Sequence, residues 1–139
     1  MAGDRTLTII KPDAFNSGKS GQIIALLEKA GFKIIASRVT QLTDAQAAAF
    51  YAVHKERPFF APLTRFMTSG KCMPMVLERA DAVSTLRKVI GATDPAEADA
   101  GTVRKLYAES KERNAIHASD SDENAQREAT FFFPEADLV

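Results

Sequence analysis

Two histidines occur in the chain, His54 and His117. A neutral imidazole is a competent nucleophile near pH 7 when an acceptor holds its other ring nitrogen. His117 lies in Asn114-Ala115-Ile116-His117-Ala118-Ser119-Asp120, an extended segment running into the start of a helix. Free backbone N–H groups and the positive end of a helix dipole favour an incoming anion there, so the chemistry the position suits is phosphoryl transfer. Glu128 follows along that helix, within reach of a turn back toward the imidazole. From position alone a structural histidine is the commoner case, and more is needed to decide between the two.

Asp120, Asp122 and Glu123 invite a metal reading but lack the spacing of a calcium loop, and acids are expected in a first helical turn. A water-mediated contact from Asp120 to magnesium already carried by a nucleotide stays open. Lys11, Arg57, Arg87 and Arg104 are scattered, and each taken singly reads as a solvated surface cation. Phe59 and Phe60 read as core or interface residues. Gly18-Lys19-Ser20 imitates the end of a phosphate-binding loop, but Asp13 stands where that pattern needs its first glycine.

These residues must be positioned by a chain of 139 residues, the length of one domain spanning 1–139. Hydrophobic residues make up 45% and charged residues 26%, enough for a sizeable core. Lys plus Arg and Asp plus Glu each total 18, a formal net charge of zero, which argues against nucleic acid as a partner. A lone cysteine, Cys72, excludes an internal disulfide and a cysteine zinc site. The segment from Met1 to Lys11 does not read as a signal peptide, and no apolar run is long enough to span a bilayer. A cytoplasmic protein with no membrane partner is expected.

Thr6 to Ile10 reads as a strand stopped by Lys11-Pro12-Asp13. A helix capped by Ser20 carries Ile23, Ile24, Leu27 and Ala30 on one face and ends at Gly31. Phe32 to Val39 reads as a strand. Thr43 and Gln46 form a capping box opening a helix that buries Phe50 and Val53, broken at Arg57-Pro58. A short helix follows over Phe60 to Met67. Cys72 to Leu77 reads as a strand with Pro74 at its start or at a bulge, and Asp81 caps a helix ending before Gly91. The stretch 92–101 is a loop, Thr102 to Glu109 a short helix, Asn114 to Ala118 an extended segment and Ser119 to Phe131 a final helix. This order fits an α/β (α+β) sandwich with a ferredoxin-like plan, a four-stranded antiparallel sheet covered by helices.

Five segments, in order and at the right spacing, resemble the nucleoside diphosphate kinase family along almost the whole chain. They are Thr8-Ile9-Ile10-Lys11-Pro12-Asp13; Tyr51-Ala52-Val53-His54 with Arg57-Pro58-Phe59-Phe60; Gly91-Ala92-Thr93-Asp94-Pro95; Gly101-Thr102-Val103-Arg104; and Asn114 to Asp120. The resemblance implies a ping-pong transfer of a γ-phosphate from a nucleoside triphosphate to a diphosphate, ribo or deoxy. It makes His117 the nucleophile through Nδ1, with Glu128 on the other ring nitrogen and Ser119 positioning Glu128. It assigns the phosphates to Arg87, Thr93 and Arg104, with a further contact from His54, and the ribose to Lys11 and Asn114. Lys11 also reaches phosphate, Tyr51 lies beside the nucleophile and Phe59 stacks on the base. Mg2+ would arrive with the nucleotide, and a homo-oligomer built from dimers, tetramer or hexamer, is implied.

Two positions depart from the family pattern. Ala118 stands where glycine is usual, which matters if that residue needs a positive φ. Lys111 stands where an aliphatic side chain usually covers the second face of the base. The rival to an active kinase is a binding domain on the same fold that has lost catalysis; such a copy should first lose His117, Arg104 or Lys11, and all three are present.

Overall fold

The computed structural model describes residues 3–139, so Met1 and Ala2, the start of the segment read as lacking a leader, lie outside it. Its frame is one four-stranded sheet of β1 (Arg5–Ile10), β2 (Lys33–Ser37), β3 (Met73–Glu78) and β4 (Ile116–Ala118), in the order β2-β3-β1-β4. Every neighbouring pair is antiparallel. This is the ferredoxin-like arrangement expected from the order of elements.

β1 holds the sheet together because it is covered on both faces. Leu7 and Ile9 join Phe50, Val76, Phe132 and Phe133 in one core, while Ile10 joins Ile23, Leu27, Leu86, Ile90 and Ile116 in the other. Helices α2 (Ser20–Lys29) and α5 (Ala82–Ile90) supply the second core; α3 (Asp44–Phe50), α4 (Phe60–Met67) and α7 (Asp122–Phe132) supply the first. Two short helices, α1 (Pro12–Asn16) and α6 (Val103–Tyr107), complete the set.

The Thr43–Gln46 capping box is present with both of its hydrogen bonds, and Pro74 stands second in β3, at the strand start. β2 is shorter than expected and irregular between Ile34 and Ala36. Val53 is 63% exposed, because α3 stops at Phe50 and Ala52–His54 forms a 3-10 turn that breaks the helical spacing. Ser20 is the first residue of α2 and not its cap, and Asp81 precedes α5 in a left-handed conformation in which its side chain makes no cap hydrogen bond. Lys11-Pro12-Asp13 does more than stop β1: proline at the first helical position, where no N–H is needed, starts α1. The final helix begins at Asp122, with Ser121 as its cap, so His117 sits inside a strand and Ser119 stays free of the helix.

Among the described non-glycine residues, Asp81 and Ala115 have a positive φ; Ala118 does not. Ala118 is also buried against the core beside α2 and α5. Alanine therefore costs nothing here, and Ala118→Gly should lose about 0.5–1 kcal/mol of stability through backbone entropy. Thermal unfolding should show a Tm lower by a few degrees, with turnover no faster than before.

Candidate active site

β1 and β4 build the floor of the site. Ile9 pairs with His117, and the Thr8 hydroxyl donates to the His117 carbonyl at 2.7 Å. That bond pins a three-residue edge strand at the residue whose side chain matters. α7 packs across β1 and brings Glu128 back under the imidazole.

His117 Nε2 lies 2.7 Å from Glu128 Oε1, and Ser119 Oγ donates to the same oxygen at 2.8 Å. A carboxylate only accepts, so Nε2 carries the proton and Nδ1 holds the lone pair. Nδ1 has no hydrogen-bond partner among the described residues. Phe50, the last residue of α3, and Tyr51 after it meet the imidazole edge-on, at centroid distances of 5.4 and 6.2 Å. Burial holds the His117 pKa below its ordinary 6.5, with Lys11 and Arg104 pushing the same way and the Glu128 bond opposing them. The ring is neutral at pH 7.

Two cations are buried beside it. Arg104 donates to the carbonyls of Ile116 at 2.8 Å and Gly91 at 3.0 Å, and its Nε has no partner among the described residues. Gly91 adopts φ +90, and an added Cβ would stand 2.6 Å from Thr102 Oγ1, so glycine is needed where the chain leaves α5 toward Arg104. Desolvation, followed by the Arg87 charge, brings the Arg104 pKa down to about 10. Lys11 donates to Asn114 Oδ1 at 2.9 Å. Burial first and the Arg104 charge second lower its pKa to about 8, against the pull of Asp13. Charges this deep without full carboxylate pairing are poised for an anion. Arg87 is exposed on the last turn of α5, with Nη1 3.5 Å from the Ala118 carbonyl.

Asn114 is buried, and its amide reaches the Thr93 carbonyl at 3.4 Å. Lys111, 72% exposed, directs its ammonium to Asp94 Oδ2 at 3.9 Å, next to Thr93. His54 and Phe59 form a pair of their own at 5.3 Å between centroids, and Phe59 is 48% exposed, an apolar ring open to solvent. Tyr51 is buried with no partner for its hydroxyl among the described residues; burial, then the Glu128 charge, then Cys72 raise its pKa far above the ordinary phenol. Asp120 is exposed, and the Asn124 amide, followed by Arg87 and its own N–H, holds its pKa below the usual carboxylate value. Among the described residues no three His, Cys, Asp or Glu side chains form a metal cage.

Two contributors were not assigned a role from the sequence. Thr8 and Asp13 both lie in the first matched segment. Asp13 Oδ2 accepts the Ala115 N–H at 3.0 Å, in a backbone conformation (φ 73) that costs a residue with a Cβ about 1–3 kcal/mol. No pattern rule reads such a long-range side-chain bond from one sequence.

The sheet, the carboxylate-held imidazole and the buried cations beside it define a ferredoxin-like enzyme domain. The chain belongs to the nucleoside diphosphate kinase family, a family of phosphotransferases, whose model matches residues 4–138. It is 55% identical over 136 residues to the nucleoside diphosphate kinase of Chlorobaculum tepidum, covering 98% of this chain and 97% of that one. To the enzyme of an Anaeromyxobacter species it is 56% identical over 135 residues, with coverage of 97% and 92%. The Aquifex aeolicus nucleoside diphosphate kinase structure superposes with a TM-score of 0.95 at 43% identity, covering 98% of this chain and 99% of that one. A Halobacterium salinarum nucleoside diphosphate kinase in complex with CDP superposes with a TM-score of 0.92 at 37% identity, with coverage of 97% and 90%. No helix among the described residues is long and apolar enough to cross a membrane.

Two of the shifted groups, His117 and Lys11, predict the pH profile of kcat/KM, which reports the free enzyme. His117 gains its proton only below 6.5, so the acid limb lies under that pH. Lys11 loses its charge as pH rises through about 8, so the alkaline limb begins there. Lys11→Arg should move the alkaline limb upward while leaving the acid limb in place.

Proposed function

We propose that the chain transfers the γ-phosphate of a nucleoside triphosphate to a nucleoside diphosphate by a ping-pong route through a phosphohistidine at Nδ1 of His117. The observation that carries this reading is the 2.7 Å bond from His117 Nε2 to Glu128, itself held by Ser119, which leaves the Nδ1 lone pair free. In the first half-reaction Nδ1 attacks the γ-phosphorus in line, the bond to the β–γ bridging oxygen breaks, and the nucleoside diphosphate leaves with that electron pair. A second diphosphate then takes the phosphoryl by the reverse step, returning the neutral imidazole. Glu128 accepts the hydrogen bond from Nε2–H throughout and stabilises the positive charge that forms on the phosphorylated ring.

Arg104, Arg87 and Thr93 take the β- and γ-phosphates; their charge and hydrogen bonds strengthen as the phosphoryl oxygens become more negative. Lys11 and Asn114, already bonded to each other, hold the ribose hydroxyls, with Lys11 also on phosphate. His54 is a further phosphate contact, and Tyr51 fixes the wall behind the nucleophile. The open ring of Phe59 suits stacking on any base, so ribo- and deoxynucleotides of purines and pyrimidines serve alike. Lys111 lays its apolar stem along the second face of the base with its ammonium toward Asp94.

Mg2+ fits as an ion carried by the phosphates, because exposed, charged Asp120 beside Arg87 is an oxygen donor suited to one of its bound waters. When bound it neutralises phosphate charge. A cytoplasmic homo-oligomer built from dimers completes the reading and follows from the family alone.

Brief exposure to γ-labelled ATP should leave an acid-labile label that His117→Ala abolishes together with exchange; a labelled, active variant would refute the route. Glu128→Ala should slow turnover roughly ten- to a hundredfold while His117 still labels, more slowly. Unchanged turnover would remove Glu128 from the mechanism.

A further inference from the structure

Between Lys11 and His117 the backbone makes an unusual turn. Ala115 has φ 73, and the Ile116 N–H donates to the Asn114 carbonyl two residues back at 2.9 Å. Those two features define a γ-turn with a positive central φ, the rarer and strained of the two kinds. Glycine would relieve it; alanine does not. Every residue around the turn belongs to the site. Asn114 holds Lys11 Nζ, the Ile116 carbonyl accepts Arg104 Nη2 at 2.8 Å, and His117 follows directly. A relaxed φ at Ala115 would swing Asn114 away from Lys11 and slide β4 against β1.

A single side chain grips the centre of this turn. Asp13 Oδ2 accepts the Ala115 N–H at 3.0 Å, and one peptide away the Lys11 N–H donates to the Ala115 carbonyl at 2.9 Å. Asp13 is buried on α1, whose start is fixed by Pro12. A carboxylate brought out of water for one backbone N–H is an expensive way to stabilise a loop. It makes sense where the conformation it holds is one the chain would otherwise leave. Its charge also favours the protonated form of Lys11.

The geometry points to Asp13 as a positioning residue for phosphoryl transfer: it clamps the Asn114–Ala115–Ile116 turn and so sets both the Lys11–Asn114 pair and the direction in which His117 is presented. It acts through the turn and touches no substrate. The inference rests on His117 as the phosphoryl acceptor, and the two fail separately. A His117→Ala protein that still labels overturns that reading, whereas the clamp is judged from turnover ratios among proteins that keep His117.

The test compares Asp13→Ala, Asp13→Asn and the double variant Asp13→Ala/Ala115→Gly by steady-state exchange at saturating nucleotide, with Tm recorded for each. Asp13→Ala should lower kcat by roughly tenfold or more per folded molecule, a typical loss when a supporting group of a reacting residue is removed. Asp13→Asn keeps a carbonyl acceptor and should stay within about threefold of the parent in kcat. Its alkaline limb should move to lower pH, because Lys11 has lost a favourable charge. The double variant should recover most of the lost kcat, since glycine takes a positive φ without a clamp. A fall in Tm with unchanged kcat in Asp13→Ala would make Asp13 merely structural and overturn the proposal. If Asp13→Ala does not fold, the double variant decides. Restored folding and turnover support the clamp, and a double variant no better than the single one overturns it.

Discussion

The contact on which the site depends is the hydrogen bond from His117 Nε2 to Glu128. A buried carboxylate must be satisfied by donors, and the two it finds are an imidazole N–H and the Ser119 hydroxyl. That requirement fixes the tautomer, the ring plane and the free nitrogen in one stroke. It also links β4 to α7 across β1, which is why the strand that carries His117 can be three residues long. The Thr8 hydroxyl on the His117 carbonyl secures the same strand from the other side.

Around this bond the protein keeps positive charge out of water. Lys11 and Arg104 are both buried; after burial itself, the Arg104 charge disfavours protonated Lys11 and the Arg87 charge disfavours charged Arg104, with Asp13 alone pulling Lys11 the other way. Such an arrangement costs folding stability, a cost that the proposed binding of nucleotide phosphates would offset. The left-handed Ala115 stores strain at the same place. Strain and uncompensated charge converge on the few residues that flank His117, while both hydrophobic cores are ordinary in composition.

Much of this was legible in the sequence. The strands, the capping box at Thr43 and the proline at the start of β3 followed from local chemistry, since caps and strand breaks depend on neighbours in the chain. The matched segments led to the His117–Glu128–Ser119 chain, which the structure assembles at hydrogen-bonding distance. Periodicity misled at Val53, where a 3-10 turn interrupts the helix, and at Ser20 and Asp81, whose residue types suit a cap but whose side chains do not make one. Ala118, where glycine is usual, has no positive φ; the backbone that adopts one lies three residues earlier, at Ala115. Which residue carries that turn, and that Asp13 holds it from more than a hundred positions away, is tertiary information that no local rule contains.

The central claim is that Glu128 occupies Nε2 so that Nδ1 does the chemistry, and the site of attachment on the ring tests it most directly. The protein should be phosphorylated with a nucleoside triphosphate, freed of nucleotide, and its imidazole nitrogens assigned by long-range 1H–15N NMR. With two histidines in the chain the spectrum is simple to interpret. The account predicts phosphorus on Nδ1 of His117 with Nε2 still protonated. Phosphorus on Nε2, or on no histidine at all, would contradict it.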